Sequence, residues 1–287
     1  MKKGARSINY CKGFDKWEVY RALNDLDNIQ PHLPITMKYR RDKDLIDMLK
    51  NHPSLYLKAC RGRRGYHVMR VARFDDASYE YSYFTMDDGV MTGKTNLHSL
   101  LKVVHNFFQG SPFIIQQAID LHSIDKKIMD MRAEVQRNGY GELEYTSISV
   151  RISKKNAPIT THGDCYRLED FFTKHMNYSQ EQIIALRNRV EDFLSALYRG
   201  IEKSYGPTGE MGIDFALDKK NHIWFIESNN QPTKASLIKA YDRKTIEKAF
   251  LNPLEYAKYL VMKMDSLANP FNLPVARALE SATPLLT

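Results

Sequence analysis

The hairpin that decides the fold lies at residues 209–232, which read GEMGIDFALDKKNHIWFIESNNQP. In its first half apolar residues alternate with small ones and with Asp214, which predicts a strand with one acidic side chain on a face of small residues. In its second half Glu227 and Asn229 are two residues apart and therefore share a face. A four-residue turn at 219–222 would pair Glu227 with Asp214. The stretch therefore predicts a hairpin that brings two carboxylates and an amide together.

Such a set of oxygens suits Mg²⁺, because this ion takes a few hard oxygen ligands from a protein and leaves its other positions to water and phosphate. We therefore predict Asp214, Glu227 and Asn229 as ligands of Mg²⁺ that is bound together with ATP. An ordinary hairpin with solvated acidic residues is the alternative. The position of Glu227 directly after the apolar residues 224–226, at a strand end, favours a site.

The hairpin resembles the metal-binding hairpin of the ATP-grasp superfamily, and within it the group named after the YheC and YheD endospore coat-associated proteins. The resemblance covers roughly residues 15–265. It implies an α+β ATP-grasp fold, in which the nucleotide cleft lies between two α+β lobes. The expected parts are a short, vestigial N-terminal segment at 1–40, an ATP-grasp domain at 41–268 with a small nucleotide-binding lobe at 41–118 and a metal and substrate lobe at 119–268, and an irregular tail at 269–287.

A basic loop upstream takes the place of the family's phosphate-covering loop. ATP-grasp proteins carry a lysine at a strand end, followed by a flexible glycine-rich segment, and residues 55–68 read LYLKACRGRRGYHV. Glycines let backbone amides approach a phosphate, and arginines add charge-assisted donors. A basic surface turn and a grip on a nucleic-acid backbone are the alternatives. The residues that the resemblance implies for phosphate binding are Lys58, Gly62, Arg63, Arg64 and Gly65.

The adenine is expected at the hinge between the lobes. The apolar segment 113–119, FIIQQAI, matches the strand that enters this hinge, and the resemblance implies that Gln117 and Ile119 contact the adenine edge. Phe225 shares a face with Glu227 and is expected either to pack against adenine or to belong to the core. Two acidic residues stay open as ribose ligands, Asp120 and Asp125.

Two arginines are expected to face the cleft. Residues 127–135, KIMDMRAEV, resemble the Asp-Ile-Arg strand of the group, which would place Arg132 in the cleft with Arg151 on the paired strand. A guanidinium group binds a planar oxyanion through two hydrogen bonds, which suits a γ-phosphate or a substrate carboxylate. The resemblance therefore implies Arg132, Arg151 and Lys58 as catalytic residues. The alternative for both arginines is an exposed position on a strand.

Two further residues are candidates for substrate contact. His162 lies in the segment TTHGD at 160–164, and Lys234 precedes a helix after the metal hairpin. An anionic substrate group could bind at that helix with help from the charge of Lys234. The simpler interpretations are a solvated loop histidine and a plain helix N-cap at Thr233 or Ser236.

Hydrophobic periodicity and turn residues predict a mixture of helices and strands, which favours the α+β class. The expected helices are 14–26, 42–51, 96–108, 179–204, 236–240 and 252–266. The expected strands are 55–58, 66–73, 78–86, 113–115, 127–137, 142–152, 211–217 and 222–229.

Composition limits the function classes. The 287 residues are 43% hydrophobic and 26% charged, which is typical of a folded protein of two lobes rather than a disordered chain. Lys and Arg number 42 against 34 Asp and Glu, and this net charge of +8 suits an anionic partner. The three cysteines fit neither a disulfide framework nor a zinc cluster, which favours a cytoplasmic protein. No apolar run is long enough to cross a membrane, so no membrane partner is expected.

The resemblance implies an ATP-dependent carboxylate–amine ligase that forms an acyl phosphate and a C–N bond. Its expected partners are ATP, Mg²⁺, a carboxylate that could belong to a peptide, and an amine; a homodimer and association with spores stay open. Three alternatives also stay open: a kinase of the same fold, a coat or structural protein with reduced catalysis, and a nucleic-acid-binding module. ATP explains the basic loop better than nucleic acid does, so nucleic acid is the weakest of them.

Overall fold

The computed structural model describes residues 7–11, 13–62, 67–85, 87–124, 127–153, 160 and 163–268. Helices and antiparallel strands are mixed along the chain, which confirms the α+β class. Among the described helices, none combines the length and the apolar character needed to cross a bilayer. The tail expected at 269–287 lies outside the described residues.

The elements are as follows. The helices are α1 (Lys16–Asn24), α2 (Asp42–Asn51), α3 (Leu97–Phe108), α4 (Leu168–Met176), α5 (Gln180–Tyr205), α6 (Ala235–Ala240) and α7 (Arg243–Ala268), with a 3₁₀ turn at Gln30–His32. The strands are β1 (Thr36–Lys38), β2 (Ser54–Ala59), β3 (Val68–Arg73), β4 (Ser78–Thr85), β5 (Gly89–Asn96), β6 (Phe113–Gln117), β7 (Ser123–Ile124), β8 (Lys127–Arg137), β9 (Leu143–Ile152), β10 (Asp164–Arg167), β11 (Glu210–Leu217) and β12 (Ile223–Asn229).

The smaller of the two sheets has the strand order β1-β6-β2-β3-β4-β5. Leu55 and Leu57 of β2 are buried in a core together with apolar residues of α2 and α3. Because side chains alternate along a strand, Tyr56 and Lys58 point to the opposite face. Lys58 is therefore presented on the face that does not pack against the helices.

The larger sheet has the order β10-β9-β8-β11-β12, with β7 beside β8. Its core face packs against α4 and α5, and it receives Met129, Met131, Ala133 and Val135 of β8. The other face of β8 carries a polar row, which consists of Asp130, Arg132, Glu134 and Gln136. One strand thus contributes both to the core and to a polar surface.

The N-terminal segment joins both sheets. Val19 and Leu23 of α1 are buried in the core of the larger sheet, and α1 contacts α5. Strand β1 pairs with β6 of the smaller sheet, where Thr36 lies opposite Gln116. The boundary at residue 40 and the vestigial character of this segment stay predictions.

The hairpin of β11 and β12 pairs Asp214 with Glu227, which confirms the predicted pairing. The predicted four-residue turn is wrong, because the connection is formed by residues 218–222. This longer connection would by itself set Asp214 opposite Ile226. A bulge between Asp214 and the next residue shifts the register by one position and places Glu227 there instead.

Helix α7 begins at Arg243, well before the predicted start at residue 252, and continues through Pro253. Proline has no N–H, so it leaves the carbonyl four residues earlier without its helical donor. Here that carbonyl belongs to Ala249, and it accepts a hydrogen bond of 2.7 Å from Nε2 of the buried Gln136. The sheet therefore replaces the hydrogen bond that the proline removes.

Replacing Gln136 by leucine should leave the Ala249 carbonyl buried without a donor and lower the free energy of unfolding by about 1–3 kcal/mol. Adding Pro253→Ala restores an N–H at that position. In denaturant unfolding, Pro253→Ala should be more favourable in the Gln136→Leu background than in the wild type. Additive effects of the two substitutions would contradict this account of the helix.

Candidate functional site

Three cavities meet at Glu227, between the two sheets and the N-terminal segment. The central cavity holds about 120 Å³ and is lined by both sheets. It brings together seven residues that the sequence predicts for the site: Lys58, Gln117, Ile119, Arg151, Asp214, Phe225 and Glu227.

The wide cavity, of about 550 Å³, is lined by Lys16, Gly62, Glu227 and Asn229 among others. The side cavity, of about 100 Å³, lies on the polar face of the larger sheet. Its lining includes Arg132, Glu134, Arg151, Asp214, Glu227, Asn229 and Lys234. Glu227 lines all three cavities, so any groups bound in them would meet at this carboxylate.

Several predicted residues do not join this arrangement. Arg63, Arg64, Gly65 and His162 lie outside the described residues, as does Asp125. Asp120 is exposed and its Oδ2 lies 2.7 Å from Nζ of Lys219. It lines a different cavity beside the smaller sheet rather than the central one. Asp120 shares that cavity with the hinge residues Gln117 and Ile119 but does not line the central cavity with Lys58, Asp214 and Glu227.

The carboxylate of Asp214 is buried between two arginines. Its Oδ1 lies 2.7 Å from Nε of Arg132 and 3.1 Å from Nη2 of Arg151. This oxygen accepts no hydrogen bond of acceptable geometry from the described residues. Burial raises the pKa of Asp214, and the two arginines oppose that rise.

The pKa of Glu227 is shifted in the opposite direction to that of Asp214. Burial disfavours its charge, but Lys16, Asn229, Lys58 and Arg132 outweigh burial and lower its pKa. Nζ of Lys16 lies 3.5 Å from Oε2 of Glu227, and Nδ2 of Asn229 donates a hydrogen bond of 3.0 Å to Oε1. Glu227 is therefore a fixed negative charge at the junction of the cavities.

These residues fit a magnesium ion. Within the described part of the chain, no three His, Cys, Asp or Glu residues form a metal cluster, so a cation here would have two carboxylates and one amide as protein ligands. Mg²⁺ commonly takes such a small set, with phosphate and water completing the octahedron. Oδ1 of Asp214 is buried and accepts no hydrogen bond of acceptable geometry in the described residues, so a cation at this carboxylate would add to its ion pairs with Arg132 and Arg151.

Neither predicted arginine is an exposed strand residue. Arg151 donates two hydrogen bonds of 2.7 Å to the carboxylate of Asp130, and Thr160 donates one of 2.5 Å to the same group. Arg132 crosses Gly212 of β11, where a Cβ atom would collide with its guanidinium group. Its Nη1 is buried and donates no hydrogen bond within the described residues. Arg132 thus keeps a donor available for an anion.

Lys58 is held from the smaller sheet. Its buried ammonium group donates a hydrogen bond of 2.6 Å to Oε1 of Gln116, whose Nε2 donates one of 2.9 Å to Oγ1 of Thr36. Burial lowers the pKa of Lys58 to about 8, against the opposing charge of Glu227. The sequence analysis did not identify Gln116, although a glutamine within the apolar strand FIIQQ was an available signal.

The structure tests two of the simpler interpretations, a core position for Phe225 and a plain N-cap before α6. Phe225 is 5% exposed and belongs to the core of the larger sheet, yet it also lines the central cavity, so both interpretations hold. Lys234 is itself the N-cap residue of α6, in a left-handed conformation with φ of 55°, so the N-cap expected at Thr233 or Ser236 is wrong. Its Nζ lies 2.5 Å from Oε2 of Glu210.

Glu134 is a residue of the site that the sequence analysis missed. It is 1% exposed, and its Oε2 accepts no hydrogen bond within the described residues. Burial raises its pKa to about 7, although Arg132 and Lys234 oppose this. The alternation of β8 was the signal that could have identified it, because Glu134 lies two residues from Arg132 on the same face.

Replacing Glu134 by glutamine should remove a pH-dependent loss of stability. With its pKa raised in the folded state, Glu134 holds more protons there than in the unfolded chain between about pH 4.5 and pH 7. The wild type should therefore lose up to roughly 3 kcal/mol of stability, relative to Glu134→Gln, as the pH rises through that window. Denaturant unfolding at several pH values measures this, with the exposed Glu247→Gln as a control. A constant difference would contradict the burial argument.

Comparison with known proteins identifies the family. Residues 4–260 match the family described as YheC/D like ATP-grasp. The endospore coat-associated protein YheD of Bacillus subtilis (strain 168) is 26% identical over 260 residues, which cover 87% of this chain and 55% of YheD. YheC of the same organism, also described as endospore coat-associated, is 22% identical over 249 residues, which cover 86% of this chain and 67% of YheC. The chain thus spans about half the length of YheD.

A solved structure also resembles the chain. It is the crystal structure of the ADP complex of PurK, an N5-carboxyaminoimidazole ribonucleotide synthetase, with a TM-score of 0.47 and 11% identity over 78% of this chain and 46% of that one. The family match, rather than this weak likeness, shows the fold and confirms the resemblance seen in the hairpin. The chain belongs to the YheC/D-like ATP-grasp family.

Proposed function

We propose that the protein is an ATP-dependent ligase that joins a carboxylate to an amine through an acyl phosphate. One observation carries the proposal: Glu227 lies opposite Asp214 at the junction of three cavities, two arginines hold Asp214, and Lys58 approaches from the other sheet. A ligase with three substrates needs such a meeting point, because catalysis depends on aligning the reacting groups and neutralising their charge.

ATP would bind with its adenine in the central cavity. Gln117 and Ile119 line its hinge side and Phe225 its core side, so the adenine would lie there, with the phosphates toward Lys58 and Glu227. The phosphates would be covered by Gly62 and the adjoining residues 63–65. Gly62 lines the wide cavity beside Glu227. Mg²⁺ on Asp214, Glu227 and Asn229 would neutralise phosphate charge.

The chemistry requires little covalent help from the protein. A substrate carboxylate oxygen would attack the γ-phosphorus and displace ADP, and the amine would then attack the acyl carbon and displace phosphate with loss of a proton. Nη1 of Arg132 is a buried donor without a partner in the described residues, so it is suited to stabilise the transferring group or the oxyanion. Arg151, fixed by Asp130, would act mainly by positioning Asp214.

The substrates and the setting are further proposals. A peptide could supply the carboxylate, because the wide cavity is larger than the central one and joins it at Glu227. Lys234 and His162 are the proposed substrate contacts. Spore association follows the descriptions of YheC and YheD, whereas a cytoplasmic site of action and a homodimer are proposals from the sequence.

Replacing Glu227 by glutamine, which keeps the side-chain size and removes the charge, should lower Mg-ATP turnover by roughly a thousandfold, because a bound metal supplies several kcal/mol of charge stabilisation. The assay would follow ADP release with pooled carboxylates and amines, and mass spectrometry would detect the amide. Glu247→Gln, on the exposed face of α7, is the matched control. Full activity of Glu227→Gln would overturn the assignment.

Two outcomes with the wild type would select other functions. A stable phosphorylated product without a new amide would identify a kinase. Tight ATP binding without ADP formation across the whole screen would favour a coat protein that has lost catalysis.

Binding of a non-hydrolysable ATP analogue should weaken as the pH rises above about 8, because Lys58 loses its proton there in the free protein. Its charged neighbours are Glu227, Lys16, Asp214 and Asp130. The association constant should fall by up to tenfold per pH unit, since binding must then take up a proton. Lys58→Arg keeps its charge throughout and should show a flat profile by titration calorimetry. Parallel profiles for both proteins would show that Lys58 does not contact the nucleotide.

A further inference from the structure

The polar row of β8 contains one charged member that has no ion pair within the described residues. Asp130 is paired with Arg151, and Arg132 with Asp214. Gln136 donates to the carbonyl of Ala249. Glu134 lies between these paired residues, is 1% exposed, and has an Oε2 that no described group bonds.

The neighbours of Glu134 across the sheet are also unusual. On β9 it lies opposite Ser147, whose hydroxyl group is buried and makes no hydrogen bond within the described residues. On β11 it lies opposite Gly212, which Arg132 crosses, so no side chain of β11 faces Glu134 at this position. Glu134 lines the side cavity, which therefore presents a buried carboxylate oxygen without a partner in the described chain.

The remaining charges of the side cavity indicate the sign of its occupant. Lys234 is paired with Glu210, and Glu227 with Lys16. Lys239 is exposed at the rim and donates to the carbonyl of Gly163. The two arginines of the lining are also ion-paired, so Glu134 is the buried charged group of the lining that has no ion pair in the described chain. A buried carboxylate of this kind is strongly stabilised by a cationic hydrogen-bond donor.

The position of the cavity indicates which substrate it serves. Its lining includes Arg132, Asp214, Glu227 and Asn229, the residues assigned above to the transferring phosphate and the metal. A group held at Glu134 would therefore lie beside the reaction centre, in a cavity that the hinge residue Gln117 does not line.

We propose that the side cavity is the amine subsite and that Glu134 binds the ammonium group of the incoming primary amine. The role of an amine subsite rests on the proposed ligase function. The binding of an ammonium group can be measured without turnover. Its size, about 100 Å³, admits a small aliphatic amine or the amino end of a longer molecule.

The test uses glycinamide, which carries a primary ammonium group, and N-acetylglycinamide, which has the same chain without that charge. Titration calorimetry with the full chain should show binding of glycinamide and none of the acetylated compound. Glu134→Gln should weaken glycinamide binding by roughly ten- to a hundredfold, the worth of one hydrogen bond to a charged group. Glu247→Gln, the same change on an exposed helix, should bind as the wild type does.

Equal binding by the wild type and Glu134→Gln, or no binding to the wild type, would overturn the proposal. A second readout separates binding from a structural role: Glu134→Gln should unfold at a higher temperature at pH 8, because it removes a buried charge without a partner. A lower unfolding temperature would show that Glu134 is a structural partner of Arg132 and would also overturn it.

Failure here is distinguishable from failure of the ligase proposal. Glu134→Gln should bind the non-hydrolysable ATP analogue as the wild type does, because Glu134 does not line the central cavity. If Glu134→Gln weakens glycinamide binding while the wild type forms no amide, the result supports an ammonium site at Glu134 and contradicts the ligase assignment. If the wild type forms an amide and Glu134→Gln keeps an unchanged KM for the amine, the result contradicts the amine subsite and supports the ligase assignment.

Discussion

Four charges buried on adjacent strands organise this molecule: Asp130 and Arg132 on β8, Arg151 on β9 and Asp214 on β11. Each ion taken from water costs several kcal/mol even after relaxation, and only good geometry with further hydrogen bonds recovers it. Here the two positive and two negative groups balance, and Asp130 also accepts from Thr160. Removing any one of them would leave a buried charge without compensation, at a cost of about 3–5 kcal/mol.

The antiparallel sheet makes this network compatible with a stable core. Met131 and Ala133 of β8 face the helices, while Arg132 and Glu134 face the cavities, because side chains alternate along a strand. The site is therefore built on the back of the core rather than on mobile loops, and rigid strands hold its charged groups. The smaller sheet shows the same alternation, with Leu57 in the core and Lys58 in the cleft.

The hairpin could be predicted because the period of two and the spacing of Glu227 and Asn229 are properties of the chain alone. Its turn could not, since a longer loop and a bulge compensate each other and leave the same final pairing. The start of α7 was missed for a related reason: a distant Gln136 replaces the hydrogen bond lost at Pro253. Local sequence carries no sign of a partner that lies more than a hundred residues away.

The same distinction applies to the candidate site. Residue type and spacing indicated Lys58, Arg132 and Asp214, whereas the support of Lys58 by Gln116 and the unpaired state of Glu134 depend on burial and on neighbouring strands. Asp120 had suitable chemistry but lies beside another cavity, because a position near the hinge does not determine which side a short segment faces.

The central claim is that the Asp214–Glu227 pair is the metal and phosphate centre. The most direct measurement is a crystal structure with Mn²⁺ in place of Mg²⁺ and a non-hydrolysable ATP analogue, in which anomalous scattering locates the metal. The account predicts a manganese peak within coordination distance of carboxylate oxygens of Asp214 and Glu227, in contact with the phosphates. A metal bound elsewhere, or a nucleotide bound without contact to these carboxylates, would contradict it.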